Sequence, residues 1–187
     1  MRSEKNLVWI DLEMTGLDPQ NDVILEIAVI ITNSDLEVIG EELSLVIQHP
    51  AEVLTTMNSW CREQHAKSGL INEVIASNCT LACAEQEVLV LLDTWCVRQK
   101  ALLCGNSVFN DRAFIHRWMP SIDRFLNYRI IDVSSVKELV NRWFAGNPFV
   151  SFKKSDTHRA LSDIRESIAE LGHYRTHFFH TISQEEE

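Results

Sequence analysis

The 187-residue sequence predicts a mixed α/β fold in a single domain, and two observations carry this prediction. Three apolar runs with strand character come first and are separated by short turn-rich segments. Shorter apolar runs then alternate with longer segments of helical pattern, which is typical of a sheet flanked by helices. The sequence contains no internal repeat, low-complexity segment or linker, so we expect one domain.

The strand predictions rest on β-branched and apolar runs that end at turn residues. The second run is interrupted by Glu26, whose side chain we expect either at a polar edge of the sheet or lining an acidic site. The turn at residues 33–35 favours an antiparallel hairpin between the second and third strands. In chain order, the predicted strands are residues 5–10, 23–32, 38–48, 101–104 and 129–132.

The helix predictions rest on capping residues and on breakers. Thr80 suits an N-cap, with Glu85 and Glu87 near the first turn of the helix that follows. Residues 146–148 (Gly-Asn-Pro) end a later helix, and Pro120 marks a boundary between elements. The predicted helices are residues 58–65, 66–75, 80–98, 111–118, 133–145 and 157–179, with a polar loop at 149–156.

The charge balance limits the kinds of partner that this chain can bind. Its 17 Lys and Arg residues against 27 Asp and Glu residues give a formal charge of −10. A protein that follows a long nucleic acid usually carries a basic stripe to neutralise phosphates. A nucleic-acid substrate of this protein should therefore be short, or be held locally by metal ions and a few cations.

The cysteines and the apolar runs indicate the compartment. The five cysteines are odd in number and include no C-x-x-C pair, so we expect free thiols in a reducing environment and no structural zinc site. Cys96 and Cys104 lie in apolar contexts typical of a core. No apolar run approaches the roughly 20 residues that span a bilayer, and the N-terminal residues lack the apolar core of a secretory signal. We therefore expect a cytoplasmic protein without a membrane segment.

Two carboxylates lie at the end of the first predicted strand. Asp11 and Glu13 are spaced i, i+2, so on a strand their side chains project to the same face. Like charges on one face of a buried strand are costly unless a cation neutralises them, and such oxygen ligands suit Mg²⁺ or Mn²⁺. The two acids could instead belong to an ordinary solvated turn at the end of the strand. Leu17, beyond a turn, would lie at the mouth of any site that the two acids build.

Two later stretches offer partners for these acids. Asp111 follows the fourth predicted strand, at the sheet edge where α/β proteins collect ligands, although a helix cap would explain it equally well. Five helical residues rotate by about 500°, so His158 and Asp163 converge only if His158 lies in the loop or the first helical turn. An N-cap within residues 155–157 fits that geometry. A histidine at a helix start can also be purely structural.

The combined pattern is D-x-E on a strand, D after a second strand, and H-x-x-x-x-D at the last helix. It resembles the DEDD-type 3′→5′ exonucleases of the ribonuclease H-like fold, in the subgroup that has a histidine in its last motif. More closely, W-x-D-L-E-M-T-G-L, G-N-S-x-x-x-D and T-H-x-A-x-x-D-I-R-E-S resemble the oligoribonuclease family over essentially the whole chain. The resemblance implies a ribonuclease H-like mixed sheet flanked by helices, an exonuclease domain at residues 1–180 and an acidic solvated tail at residues 181–187.

The family resemblance also implies an activity, the cleavage of very short RNA oligonucleotides to mononucleotides. Four carboxylates can bind two divalent ions, Mg²⁺ or Mn²⁺, about 4 Å apart for phosphodiester hydrolysis. Asp11 would bridge both ions, Glu13 and Asp163 would lie on one side, and Asp111 would support the site through water. His158 would take the proton from the attacking water, because an unperturbed imidazole titrates near neutrality.

The same resemblance assigns contacts to the substrate. Leu17 would wedge against one base and Trp60 would stack on another, although core packing alone would also account for Trp60. A cluster of polar and aromatic residues would surround the 5′ phosphate and favour short chains. In that family a second subunit supplies the tyrosine, so a homodimer is implied. The residues around the phosphate would be His65, Ser107, Tyr128, Arg129 and Ser134.

Two other functions share some of these features. A proofreading-type DNA exonuclease would have the same fold, but it must admit a longer strand than an acidic, capped site favours. A non-catalytic nucleic-acid-binding module would gain nothing from packing four acids together.

His173 and His177 have the i, i+4 spacing of metal ligands, but the sequence offers no third ligand nearby, which favours a packed or solvated face.

Overall fold

The computed structural model describes residues 1–153 and 159–179, and these residues contain a five-stranded mixed sheet of order β3-β2-β1-β4-β5. The first two strands form a long antiparallel pair, while β4 and β5 add in parallel on the other side of β1. Strands β1, β4 and β5 therefore end at the same edge of the sheet. The strands are β1 (Leu7–Met14), β2 (Ile24–Thr32), β3 (Leu43–Val46), β4 (Leu102–Gly105) and β5 (Ile130–Asp132).

Helices cover both faces of this sheet. Even-numbered residues of β1, such as Val8 and Ile10, face a core formed with α4, α5 and α6, whereas Trp9 faces a core formed with α7 and α8. Asp11 and Glu13 continue the face of Trp9, because strand side chains alternate. The helices are α1 (Ala51–Leu54), α2 (Ser59–Lys67), α3 (Leu70–Ala76), α4 (Leu81–Trp95), α5 (Phe109–Trp118), α6 (Pro120–Phe125), α7 (Val133–Trp143) and α8 (Ala160–Phe178).

The structure confirms the mixed sheet, the helical layers and the single domain, and it corrects several boundaries. The third strand is much shorter than predicted, because its continuous ladder with β2 covers only Leu43–Val46, while Val38 pairs with Thr32 at an isolated bridge. Helices α1 and α6 were not predicted, since four and six residues are too few to establish a helical period. Thr80 caps α4 as predicted by accepting a hydrogen bond from the Cys83 N–H, and Glu85 follows the first turn directly, but the helix ends at Trp95 rather than at residue 98.

Two predictions fall outside the described residues. These are the position of His158 and the acidic tail at 181–187. The predicted N-cap within residues 155–157 is wrong, because Arg159 still has an extended backbone and occupies the N-cap position of α8, which begins at Ala160. All five cysteines are free, and Cys96 and Cys104 are buried as predicted.

Within residues 1–153 and 159–179, no single helix is long and apolar enough to cross a membrane. The sharply bent pair α3–α4 passes that test of length and composition when its two helices are taken together.

Candidate active site

Three of the predicted acids meet where β1 ends and α8 begins. Asp11, Glu13 and Asp163 each offer one carboxylate oxygen, and these oxygens lie within 4.8 Å of one another. The i, i+2 spacing on β1 aims the first two toward α8, and Asp163 lies in the first turn of that helix. We call these three residues the acidic cluster. The alternative of a solvated turn for Asp11 and Glu13 is wrong, because both lie inside β1.

The electrostatics of the acidic cluster are those of crowded carboxylates. Burial raises the pKa of Asp11 well above its usual value, and the charges of Asp111, Glu13, Asp163 and Glu26 raise it further. Burial, followed by the charges of Asp163 and Glu26, likewise raises the pKa of Glu13 to about 8. Without a cation, the folded chain holds these groups in an unfavourable state.

Asp111 joins the acidic cluster from the neighbouring parallel strand. It is the third residue of α5, which follows β4, and it is buried. Its Oδ1 accepts a hydrogen bond from the Leu12 N–H at 3.0 Å, so it caps the end of β1 rather than its own helix. Burial raises the pKa of Asp111 to about 7, although that hydrogen bond opposes the shift. The carboxylate thus lies beside Asp11 with its position fixed by backbone.

A cleft of about 320 Å³ opens from the acidic cluster to solvent. Leu17 and Trp60 lie on its rim, with side chains 71% and 60% exposed, so core packing does not account for Trp60. His65 is buried in its wall. Its Nε2 lies 2.8 Å from the Met14 carbonyl oxygen, and its Nδ1 lies 3.7 Å from Glu13 Oε2. Metal-binding acids, two exposed apolar surfaces and an imidazole therefore share one cleft.

The loop that carries Leu17 is organised by Asp22, a residue that the sequence analysis missed. The Asp22 carboxylate accepts hydrogen bonds from Thr15 Oγ1 at 2.8 Å and from the Asp18 N–H at 3.0 Å. The same carboxylate lies so close to Gly16 that a Cβ at that position would clash with it. Nothing in the sequence distinguishes Asp22 from an ordinary turn aspartate, because its partners are fixed by the folded loop.

Ser107 and Ser134 form a second polar group, at the ends of β4 and β5. Ser107 adopts a left-handed conformation with φ of 50°, and its N–H donates to Ser134 Oγ at 2.9 Å and to Asp132 Oδ1 at 3.0 Å. Ser134 Oγ in turn donates to Asn106 Oδ1 at 3.1 Å. The two predicted phosphate-binding hydroxyls are therefore brought together, 3.1 Å apart.

Tyr128 and Arg129 lie apart from these serines within one chain. Both precede β5, whereas Ser134 follows it, so a strand separates them. The Arg129 guanidinium lies over the Tyr128 ring at 4.9 Å from its centroid, and the Tyr128 side chain is 76% exposed. The structure thus groups the predicted phosphate contacts into three places: His65 in the cleft, the serine pair, and this exposed cation–π pair.

Two further charged residues lie near the acidic cluster: Glu26, for which the sequence left open a polar edge or an acidic site, and Arg159, which the sequence did not single out. Glu26 pairs with Glu13 across the β1–β2 ladder and is 1% exposed. It forms an ion pair with Arg159, the residue that precedes α8. The isolated glutamate within a strand was a visible signal, whereas Arg159 occupies an unremarkable position in T-H-x-A.

His173 and His177, which have the i, i+4 spacing of metal ligands, pack against Phe149. His173 Nε2 lies 2.6 Å from the Phe149 carbonyl oxygen, and His177 stacks on the Phe149 ring.

The fold and the site define a metal-dependent exonuclease of the ribonuclease H-like class. The exonuclease family profile, named RNase T, matches residues 8–171. Solved structures agree on the fold: E. coli Exonuclease I bound to a dT13 oligonucleotide has a TM-score of 0.70 at 16% identity. The enzyme from Methylocaldum szegediense gives 0.69 at 17% identity. The matches cover 95% and 92% of this chain but only 42% and 41% of those chains.

Curated relatives resolve the family. The oligoribonuclease of Pseudomonas paraeruginosa is 49% identical over 178 residues, covering 95% of this chain and 98% of that protein. The oligoribonuclease of Pseudomonas syringae pv. tomato is 46% identical over 178 residues with the same coverage. The chain therefore belongs to the oligoribonuclease family.

Proposed function

We propose that this protein is a 3′→5′ exoribonuclease that hydrolyses RNA oligonucleotides of a few residues to mononucleotides. The observation that carries the proposal is the convergence of Asp11, Glu13 and Asp163 beside a cleft with apolar walls. Relatives named oligoribonuclease match along nearly their whole length, which favours RNA over the alternative of a proofreading DNA exonuclease. The acidic cluster also counts against a purely binding module, because crowded buried carboxylates destabilise a fold that has no use for them.

The donor set fits two divalent ions, Mg²⁺ or Mn²⁺. Carboxylate oxygens within 4.8 Å of one another are the ligands that such ions prefer, and the pKa of Glu13 is raised by burial and by repulsion that a cation would relieve. When bound, the ions would polarise the phosphodiester and lower the pKa of the attacking water. Asp11, Glu13 and Asp163 would hold them, and Asp111, fixed by the Leu12 N–H, would support the site through water.

We assign the general base to His158, which lies outside the described residues. The assignment rests on its position in the T-H-x-A-x-x-D motif and on the neutral pKa of an unperturbed imidazole. In sequence it directly precedes Arg159, which is the residue before α8. A histidine held at the mouth of the acidic cluster would accept the proton of the attacking water as the phosphodiester is cleaved.

Leu17 and Trp60 would hold the bases. Their exposed apolar side chains flank the cleft at its rim, where the terminal nucleotides would enter. Stacking on an aromatic ring contributes about 1–3 kcal/mol per base and tolerates any base. This gives affinity without sequence preference and without a basic stripe, which is consistent with the net charge of −10.

The 5′ phosphate would be bound by the hydroxyls of Ser107 and Ser134, with His65, Tyr128 and Arg129 as further contacts. The serine pair is preorganised by Asn106 and Asp132. Tyr128 and Arg129 stack together on an exposed surface on the far side of β5, which suits their delivery by the second subunit of a homodimer. A pocket closed in this way would limit the substrate length. We also expect the enzyme in the cytoplasm, where short RNA fragments arise.

A time course on 5′-labelled RNAs of two to about twenty nucleotides tests the proposal, with Mg²⁺, Mn²⁺ or EDTA present. We expect mononucleotide release that is lost in EDTA and that falls steeply as the RNA lengthens. DNA oligonucleotides of matched length form the control arm. Equal cleavage of dinucleotides and twenty-nucleotide RNA would overturn the capped site, and a preference for long DNA would favour the editing exonuclease.

A further inference from the structure

Arg159 connects three elements around the acidic cluster. Its Nε and Nη2 donate to the two oxygens of Glu26 on β2, each at 3.1 Å. Its Nη1 and Nη2 donate to the two oxygens of Glu73 on α3, each at 2.8 Å. Its carbonyl oxygen accepts the Asp163 N–H at 3.0 Å, which closes the first turn of α8. The guanidinium therefore forms two bidentate ion pairs while its backbone positions a residue of the acidic cluster.

These contacts differ from two ion pairs that arginines of α8 form. Arg165 pairs with Glu42 and Arg175 pairs with Asp35 on the protein surface, where such pairs contribute little to stability. Glu26 is 1% exposed, and a buried carboxylate needs a partner. Since four N–H groups of Arg159 already donate to carboxylates, its role is not to bind a substrate phosphate.

Glu26 lies where it would interfere with metal binding. It is the direct cross-strand neighbour of Glu13, so both side chains project from the same face of the sheet. Glu26 is a fifth carboxylate beside the three acids of the acidic cluster and Asp111, and it would compete as a metal ligand unless other residues held it. Arg159, with Ser44 Oγ at 2.9 Å from Glu26 Oε1, holds it.

We infer that Arg159 is a positioning residue that withholds Glu26 from the metal centre and fixes the first turn of α8. The inference rests on the proposed function, because it presumes that the acidic cluster binds divalent ions. It predicts opposite effects on metal affinity and on turnover when the Arg159 side chain is removed. A divalent ion should bind as tightly or more tightly, since the positive charge of the guanidinium is lost and the Glu26 carboxylate is released. Turnover should nevertheless fall, because the ligand set is no longer the productive one.

The experiment compares Arg159→Gln, Glu26→Gln and the double variant with Arg165→Gln, a matched change at a surface ion pair of the same helix. Mn²⁺ binding to the metal-free proteins is measured by calorimetry, and kcat and KM are measured on an RNA dinucleotide. For Arg159→Gln we expect a kcat loss of roughly 10–100-fold, a small change in KM, and Mn²⁺ affinity equal to or above that of the wild type. Glu26→Gln and the double variant should keep kcat within a few-fold of wild type, because no carboxylate remains to be withheld.

Other outcomes would overturn the inference. A large kcat loss in Glu26→Gln would make Glu26 a ligand itself. Weaker Mn²⁺ binding in Arg159→Gln without recovery in the double variant would reduce Arg159 to a structural tether, and behaviour identical to Arg165→Gln would remove any role. The proposed function fails differently: wild-type protein that binds Mn²⁺ without cleaving RNA would refute the activity, while the affinity comparison would still decide the role of Arg159. If Arg159→Gln alone does not fold, Glu26→Gln and the double variant still give the decisive kcat comparison.

Discussion

Two carboxylates of α8, Asp163 and Glu170, belong to different groups of side chains, and the groups differ in what surrounds the charge. In the acidic cluster, Asp163 faces Asp11 and Glu13, so charges of the same sign meet. Two turns further along, Glu170 is 0% exposed, yet it accepts hydrogen bonds from Tyr174 Oη at 2.9 Å and from Asn106 Nδ2 at 3.1 Å, and Lys137 Nζ lies 3.7 Å away. We call this second group the Glu170 network.

The difference separates a group kept for chemistry from a group kept for structure. Glu170 is fully buried whereas the acids of the acidic cluster are half-buried, so a larger desolvation penalty does not make the acidic cluster the less favourable group. The Glu170 network is compensated by donors within the chain, and through Asn106 it holds Ser134 in place. In the acidic cluster, carboxylates of the same sign face one another, and bound cations are expected to relieve their repulsion. Its members should therefore be costly to the metal-free fold and essential to activity, and Glu170 should be the reverse.

Asp163→Asn should have the largest effect on activity and tests whether the acidic cluster serves chemistry rather than structure. Loss of a metal ligand should lower kcat by roughly 10³–10⁵-fold. Removing one repulsive charge should leave the melting temperature in EDTA at or above that of the wild type, because Asp163 raises the pKa of its neighbours. Activity assays and thermal melts in EDTA measure the two effects. A clearly lower melting temperature would show that Asp163 supports the fold.

His158→Ala tests whether a base outside the acidic cluster completes the chemistry. We expect kcat to fall by a factor on the order of 10²–10⁴ while Mn²⁺ affinity, measured by calorimetry, is largely kept. In the wild type, activity should rise as pH passes upward through the pKa of the base, since the neutral imidazole is the active form. A variant that retains the wild-type pH profile would remove this assignment.

Glu170→Ala probes the other side of the comparison. Its removal leaves the buried Tyr174 hydroxyl without its acceptor and takes one of two acceptors from the Asn106 amide, which should lower the free energy of unfolding by about 2–4 kcal/mol. Urea denaturation should give the same loss with Mn²⁺ and with EDTA. Glu138→Ala, at an exposed ion pair on α7, is the control and should change stability little. Equal stability of the two variants would contradict a structural role for Glu170.

The pH dependence of the metal-free protein distinguishes the acidic cluster further. The pKa values of Glu13 and Asp111 are raised to about 8 and about 7, so between those values and their ordinary ones the folded chain holds more protons than the unfolded chain. The free energy of unfolding should therefore be larger near pH 6 and fall as pH rises through 7 and 8. Melts in EDTA should show a shift of several degrees. Asp163→Asn should flatten the dependence, whereas a rise in stability with pH would refute the crowding.

Arg129→Ala has the smallest expected effect and tests the phosphate end. Turnover of 5′-phosphorylated dinucleotides should fall by roughly tenfold, because a charge-assisted contact is lost. Longer RNAs should lose much less, since only the shortest place the 5′ phosphate in the pocket. Competition assays with RNAs of two and about ten nucleotides would measure this ratio. An equal loss at both lengths would make Arg129 a general phosphate contact or a structural residue.

Local pattern in the sequence determined the order of the longer strands and helices, the single domain, and the pairing of Asp11 with Glu13. That pairing follows from the i, i+2 spacing, because strand alternation alone puts both side chains on one face. The resemblance of the combined motifs to a known family added Asp111 and Asp163, since a helix cap would also have explained Asp111. The strand and helix predictions need only the period of an element and the residues at which it ends. Elements of four to six residues, such as α1 and α6, carry too little period to be predicted.

Tertiary structure alone decided which charges are compensated. Arg159 meets Glu26 across 133 positions of sequence, and Asn106 meets Glu170 across 64. No local pattern encodes such pairs, because they depend on how α8 crosses the sheet and where the β1–β2 ladder sets Glu26 beside Glu13. The same holds for the separation of Tyr128 and Arg129 from Ser134, which follows from the parallel addition of β5. Spacing along the chain selects the residues that can bind a metal, but the packing of distant segments sets their charge environment.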